Sequence, residues 1–177
     1  MNIFLIANHS FMLYKFRKEL IQQLLTAHHV TLVMPAREYT EAFRQMGCDI
    51  MDVDVDRRGI NPLTDYRLLR TYRTILKQHH PDMVLTYSIK PNIYGAMAAQ
   101  KYTMPFIANI TGLGTAVETE GIKQKIFILL YKIAFRNVQT VFFQNEENRK
   151  FFAEHNIAAG KHSLLPGSGV NLERFAV

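Results

Sequence analysis

Short apolar runs alternate along this chain with longer segments of helical period, and that alternation limits the fold more than any other feature. The runs fall at 3–7, 30–34, 49–53, 83–86, 106–109, 141–144 and 163–165. Most are continuously apolar, as a strand covered on both faces must be. Helical periodicity spans 12–27, 36–46, 64–79, 93–101, 122–136 and 146–155, with Gly47 placed as a C-terminal stop. The pattern predicts an α/β fold: a Rossmann-like open, mostly parallel sheet with helices on both faces and right-handed crossovers. Such a sheet binds ligands at the carboxyl ends of its strands, so functional residues are expected in the loops that follow strands.

At 177 residues, 48% of them hydrophobic and 20% charged, the chain suits one globular unit. Lys and Arg number 21 against 15 Asp and Glu, an excess that points to phosphate-bearing partners: nucleic acid, nucleotide or lipid head groups. The basic residues are spread over many segments without a nucleic-acid recognition motif, which argues against nucleic acid. The single cysteine, Cys48, excludes an internal disulfide framework and fits a reducing compartment. The seven histidines show no metal-ligand spacing, so no metal site is expected. The segment MNIFLIANHS reads as a first strand and not as a signal peptide, and no run reaches the roughly 18 apolar residues of a membrane span. The stretch 55–62, VDRRGINP, reads as a polar, mobile loop.

Four segments on the expected edge carry polar chemistry. After the first strand come Asn8, His9 and Ser10, ahead of a helix whose first amides suit an anion or a sugar hydroxyl; Ser10 also reads as a plain N-cap and His9 as a solvated loop residue. After the fourth strand, in TYSIKPNIYGAMAAQ, Pro91 suits a first helical turn and Asn92 caps or contacts a ligand. Lys90 puts a positive charge at the positive end of a helix, which is unfavourable unless an anion or solvent offsets it. Gly95, Ala96, Ala98 and Ala99 read as a close-packing surface against the sheet.

The third segment, 109–121, has Gly112 and Gly114, which allow close backbone approach to a ligand or simply a flexible loop. Glu118 and Glu120 are its weak candidate catalytic carboxylates, with a solvated role as the alternative. The fourth, IKQKIFILLYKIAFR, is a helix apolar over most of its circumference with Lys123, Lys125, Lys132 and Arg136 among its polar positions. It reads as a core helix or as one resting on an anionic membrane surface, and the first helix, with Tyr14, Lys15, Phe16, Arg17 and Lys18, repeats the mix.

Taken in order, TYSIKPNIYGAMAA, NITGLG and LLPGSGVNLERF resemble the amino-terminal half of bacterial family four glycosyltransferases of the capsule and O-antigen branch, over essentially the whole chain. The resemblance implies a two-domain GT-B enzyme with an acceptor-side domain over 1–165. Residues 166–177 then begin the connection to a carboxyl-terminal domain, absent here, that would hold most of the nucleotide-sugar, a UDP-sugar foremost. It implies a retaining hexosyl- or N-acetylhexosaminyltransferase acting on a polyprenyl diphosphate-linked saccharide, peripheral on the cytoplasmic face of the bacterial plasma membrane. The fragment alone is expected to be inactive, with metal use open.

Carried onto this sequence, the resemblance places Asn8, His9 and Ser10 opposite the donor phosphates, where many relatives have glycines. It places Lys90, Pro91 and Asn92 after strand four, and Thr111, Gly112 and Gly114 near the point of sugar transfer. A histidine that other branches carry near Thr111 is missing, and a retaining reaction needs no dedicated base of the kind Glu118 or Glu120 would supply. Lys90 and Asn92 are then expected to meet a diphosphate or sugar hydroxyl, and Lys90→Ala to lower transfer while leaving folding intact. Two alternatives stay open: half of a GT-B nucleotide-sugar epimerase, and a non-catalytic membrane-docking module.

Overall fold

The structure, a computed structural model, describes residues 1–56, 61–114 and 121–169. Among these, seven strands form one sheet: β1 (Asn2–Ile6), β2 (His29–Met34), β3 (Asp49–Asp52), β4 (Met83–Tyr87), β5 (Phe106–Ile110), β6 (Thr140–Phe143) and β7 (His162–Leu164). Their order is β3-β2-β1-β4-β5-β6-β7 and every neighbouring pair is parallel. Each predicted strand is present with its ends displaced by one residue or none.

The helices are α1 (Ser10–Phe16), α2 (Lys18–Leu25), α3 (Thr40–Gln45), α4 (Pro62–His79), α5 (Ala96–Lys101), α6 (Ile122–Ala134) and α7 (Glu146–Glu154). The chain lays β1 to β3 in one direction, crosses back through α4, and lays β4 to β7 in the other, so the direction of strand order reverses between β1 and β4. A reversal of this kind opens a crevice at the carboxyl edge. One hydrophobic core joins Leu5 and Leu32 of the sheet to Leu13, Ile21 and Phe43 of α1 to α3. The other joins Phe4, Val84 and Phe106 to Tyr72, Tyr131 and Phe152 of α4, α6 and α7.

Three local departures from the predicted elements bear on the edge. The helix predicted over 12–27 is broken at Arg17, whose backbone leaves the helical region at φ −135° and ψ 5°. Its Nη1 donates to Phe16 O at 2.6 Å, a carbonyl that an unbroken helix would offer to the amide four residues on. The Arg17 guanidinium is thereby buried, 5.5 Å from the Tyr87 ring centre.

The second departure lies after β4. Ser88 turns the chain in the left-handed region at φ 74°, and Pro91–Gly95 form a π-helical turn ahead of α5. A Cβ added to Gly95 would meet Ile6 Cδ1 and Thr86 Cγ2 at 3.3 Å each, so the turn lies hard against β1 and β4, as the small-residue surface predicts.

The third is α4, which starts at Pro62 inside the stretch read as a loop. Asn61 caps it, its Oδ1 accepting from the Leu63 and Thr64 amides at 3.0 and 3.5 Å. Cys48 is buried and free, and burial, then the neighbouring Asp49, push its thiol up to about 11.

Candidate functional site

The turns after β1, β4 and β5 leave adjacent parallel strands, with Ile6 beside Thr86 and Tyr87 beside Asn109. They therefore stand along one edge, as the sequence predicts. Their chemistry divides that edge into two stretches.

On the β4 side the polar groups face protein. Lys90 Nζ donates to Asp65 Oδ1 of α4 at 2.6 Å, and both side chains are only 12% and 13% exposed. Tyr94 Oη donates to the other carboxylate oxygen at 3.0 Å. Burial and the Asp65 carboxylate push the Tyr94 phenol up, so it remains a donor. The unfavourable charge expected at Lys90 is thus offset from within the chain, by a residue 25 positions earlier. Truncating Lys90 would strand a buried carboxylate, which revises the expectation that Lys90→Ala leaves folding intact.

Asn92 is 1% exposed and its Nδ2 donates to Asn109 O at 3.0 Å, tying the π-turn to the end of β5. Its Oδ1, Asn109 Oδ1 and Thr86 Oγ1 are buried without partners. Lys90 and Asn92 hold the turn together in this arrangement; neither presents a free head group to the crevice.

On the β1 side the edge is open. Asn8, His9 and Ser10 line a pocket of about 400 Å³, closed across from them by Pro35 and Arg37 after β2 and by Asp54, Val55 and Asp56 after β3. The N-cap predicted at Ser10 is taken by His9, whose Nδ1 accepts from the Phe11 amide at 3.0 Å. Ser10 becomes the first helical residue, 1% exposed, with no partner for its hydroxyl. Arg37 and Asp54 pair at 3.5 Å but are 73% and 87% exposed, a contact of small energy. Beside the pocket Tyr39, held at φ 65°, stacks on Tyr14 at 4.2 Å. Lys15 and Lys18 lie over these two rings at 5.5 and 5.2 Å, so the basic and aromatic residues of the first helix are partly used on one another.

After β5, Thr111 and Gly114 are exposed and Gly114 is left-handed at φ 66°. A Cβ added to Gly114 would come within 3.2 Å of Ile89 Cδ1, so its glycine lets this loop approach the β4 turn. Gly112 has open space around it. Glu118 and Glu120 lie outside the described residues.

The helix α6 divides its residues between core and surface. Phe127, Tyr131 and Ala134 are buried in the core, whereas Ile122, Ile126, Leu129 and Ile133 form an exposed stripe, Ile122 78% and Leu129 57% exposed. Lys123, Lys125, Lys132 and Arg136 are exposed alongside. No described helix is long and apolar enough to cross a membrane, and no described cluster of His, Cys, Asp and Glu could hold a metal ion.

Sequence reasoning missed Asp65, Arg37, Asp54 and Asp56. The V-D-V-D alternation at 53–56, directly after a strand, was the available signal for the last two. Nothing local marks Asp65 as the partner of Lys90.

The chain is similar to known glycosyltransferases in sequence and in fold. Residues 17–167 match the family described as "Glycosyl transferase 4-like domain". The chain is 27% identical over 169 residues to the N,N'-diacetylbacillosaminyl-diphospho-undecaprenol alpha-1,3-N-acetylgalactosaminyltransferase of Campylobacter jejuni, covering 92% of this chain and 45% of that protein. Among solved structures, a glycosyltransferase from Rickettsia africae superposes with a TM-score of 0.73 at 16% identity, over 99% of this chain and 45% of the other. Anabaena Alr3699/HepE in complex with UDP gives a TM-score of 0.68 at 12% identity, over 98% and 45%. The last two likenesses speak to fold, and the chain spans just under half the length of each of these proteins.

Proposed function

The chain belongs to the glycosyl transferase 4-like domain family and has the fold of the amino-terminal half of a GT-B enzyme. From that premise we propose that it is the acceptor-side domain of a retaining glycosyltransferase. The reaction moves a hexosyl or N-acetylhexosaminyl group from a nucleotide-sugar, a UDP-sugar foremost, to a polyprenyl diphosphate-linked saccharide in capsule or O-antigen synthesis. Residues 1–165 hold the acceptor and 166–177 lead toward the donor-binding half. The enzyme works at the cytoplasmic face of the plasma membrane, and this chain alone turns over no substrate, because transition-state contacts come from both sides of a closed cleft.

The observation that carries the reading is the carboxyl edge shared by three polar turns. In it Asn8, His9, Ser10, Thr111, Gly112 and Gly114 meet the two sugars, while Lys90, Pro91 and Asn92 fix the turn between them. The stripe on α6 supplies the lipid side: apolar residues every three or four positions, flanked by lysines, match a helix lying in an anionic interface. Glu118 and Glu120 are assigned no part, since retention needs no base for inversion.

The test is an assay of the intact protein with UDP-sugars and polyprenyl diphosphate-linked saccharides, the linkage read by NMR. An α-linked product from an α-linked donor is expected. Epimerised nucleotide-sugar with the acceptor untouched would sink the proposal. Sedimentation with vesicles containing anionic lipid should carry the protein down, and Leu129→Asp should leave it in the supernatant.

A further inference from the structure

The helices on the two faces of the sheet differ in charge. Phe4 and Ile6 of β1 pack with α4 and α6, and Leu5 and Ala7 with α1 to α3, so the two sets lie on opposite faces. On the first face α4 carries Arg67, Arg70, Arg73 and Lys77, and α6 carries the three lysines named above. Asp65 is the one acidic residue in α4, α5 and α6, and it is buried against Lys90. On the second face α1 to α3 hold Lys15, Lys18 and Arg44 against Glu19 and Glu41. Among the described helices, the basic excess is gathered on the α4 and α6 face.

The short α5 lies between α4 and α6 and touches both. Gln100 Nε2 ties it to α6 by donating to Ile133 O at 3.0 Å. No residue of 91–100 is exposed, so the two flanking helices form the outer surface. That surface is apolar as well as basic. Tyr66 of α4 is 56% exposed beside Arg67 and Arg70, and Ile126 of α6 is 53% exposed beside Lys125 and Leu129. Such a mixture suits the head-group layer of an anionic bilayer, where apolar side chains leave water while the cations meet phosphate. Nucleic acid offers the same phosphates but no apolar layer for Tyr66, Ile126 and Leu129. A second copy of the chain would set cations against cations.

We infer that the face made by α4 and α6, with α5 recessed between them, is the surface on which the protein rests on an anionic bilayer, and that α1 and α2 face away from it. The inference rests on the acceptor-side reading above and extends its lipid contact from α6 to α4. It takes the aromatic and basic residues of the first helix out of that contact, because they lie across the sheet.

Vesicle binding by the intact protein tests it, with phosphatidylglycerol mixed into phosphatidylcholine as the probe and pure phosphatidylcholine as the reference. Arg67→Glu/Arg70→Glu is expected to weaken binding to the mixed vesicles about thirtyfold or more, through loss of two cations from the surface layer. Lys15→Glu/Lys18→Glu is expected to weaken it less than about threefold, since charges beyond a Debye length of about 8 Å are screened. An equal or larger effect of the second pair, no effect of the first, or equal binding to pure phosphatidylcholine overturns the inference. So does tighter binding to duplex DNA than to the mixed vesicles at the same salt. Tyr66→Trp and Phe16→Trp then locate the bilayer, each read as the difference from the parent protein's emission. With mixed vesicles the Tyr66→Trp emission should shift to the blue and be quenched by brominated lipid, and that of Phe16→Trp should do neither. A shift from Phe16→Trp overturns the inference. So does a Tyr66→Trp emission already blue before vesicles are added, because another part of the protein or a second copy then covers α4. Neither measurement needs turnover, so absent sugar transfer defeats the proposed function while the docking face is still judged.

Discussion

The two stretches of the carboxyl edge solve the same problem in opposite ways. After β4, the charge and the donors of the turn are answered by the chain itself: Lys90 and Tyr94 donate to Asp65, and Asn92 Nδ2 to Asn109 O. After β1, Arg37 and Asp54 form a mostly exposed pair beside a hollow. A buried pair must be mutually satisfied or it destabilises, whereas an exposed carboxylate costs the fold little and stays available to a ligand. The closed stretch acts as scaffold, whereas the Arg37–Asp54 pair of the open stretch contributes little to the fold.

The sharpest way to break this contrast is Lys90→Ala, which leaves Asp65 buried with only Tyr94. A loss of about 3–5 kcal/mol in denaturant unfolding is expected. Lys90→Met with Asp65→Leu should recover part of it, because an apolar pair removes both desolvated charges. A stable Lys90→Ala protein would mean that the closed stretch is not closed.

Gly95→Val comes next. Its added atoms press on Ile6 and Thr86, and about 1–3 kcal/mol should be lost in the same measurement. The smallest effect belongs to the open stretch: Asp54→Asn should change stability by no more than about 0.5 kcal/mol, since Asp54 and its partner are mostly exposed. A large loss there would erase the distinction from the other side.

How far the edge could be read in advance follows from the range of each interaction. The strands announced themselves because burial on both faces demands unbroken apolar runs such as Ile3 to Ala7, a requirement met within each segment. Parallel strands then bring the turns at Asn8, Lys90 and Thr111 to one side by topology alone. What Lys90 does there depends on Asp65, which the crossover of α4 delivers from far along the chain. The break at Arg17 depends on Tyr87 in the same way. The pocket needed three loops at once, and the residues after β3 looked like the start of a featureless loop. The capped start of α4 at Asn61 was missed for a local reason: Asn61 and Pro62 were counted in a polar loop over 55–62, although together they make an N-cap followed by a first-turn proline.

The link between Asp65 and Lys90 also constrains how such a sequence can drift. Neutralising either residue first passes through a protein weakened by several times the thermal energy, so positions 65 and 90 should be inherited as a unit and replaced together. Asp54, mostly exposed like its partner Arg37, carries no comparable tie to the fold and can change on its own.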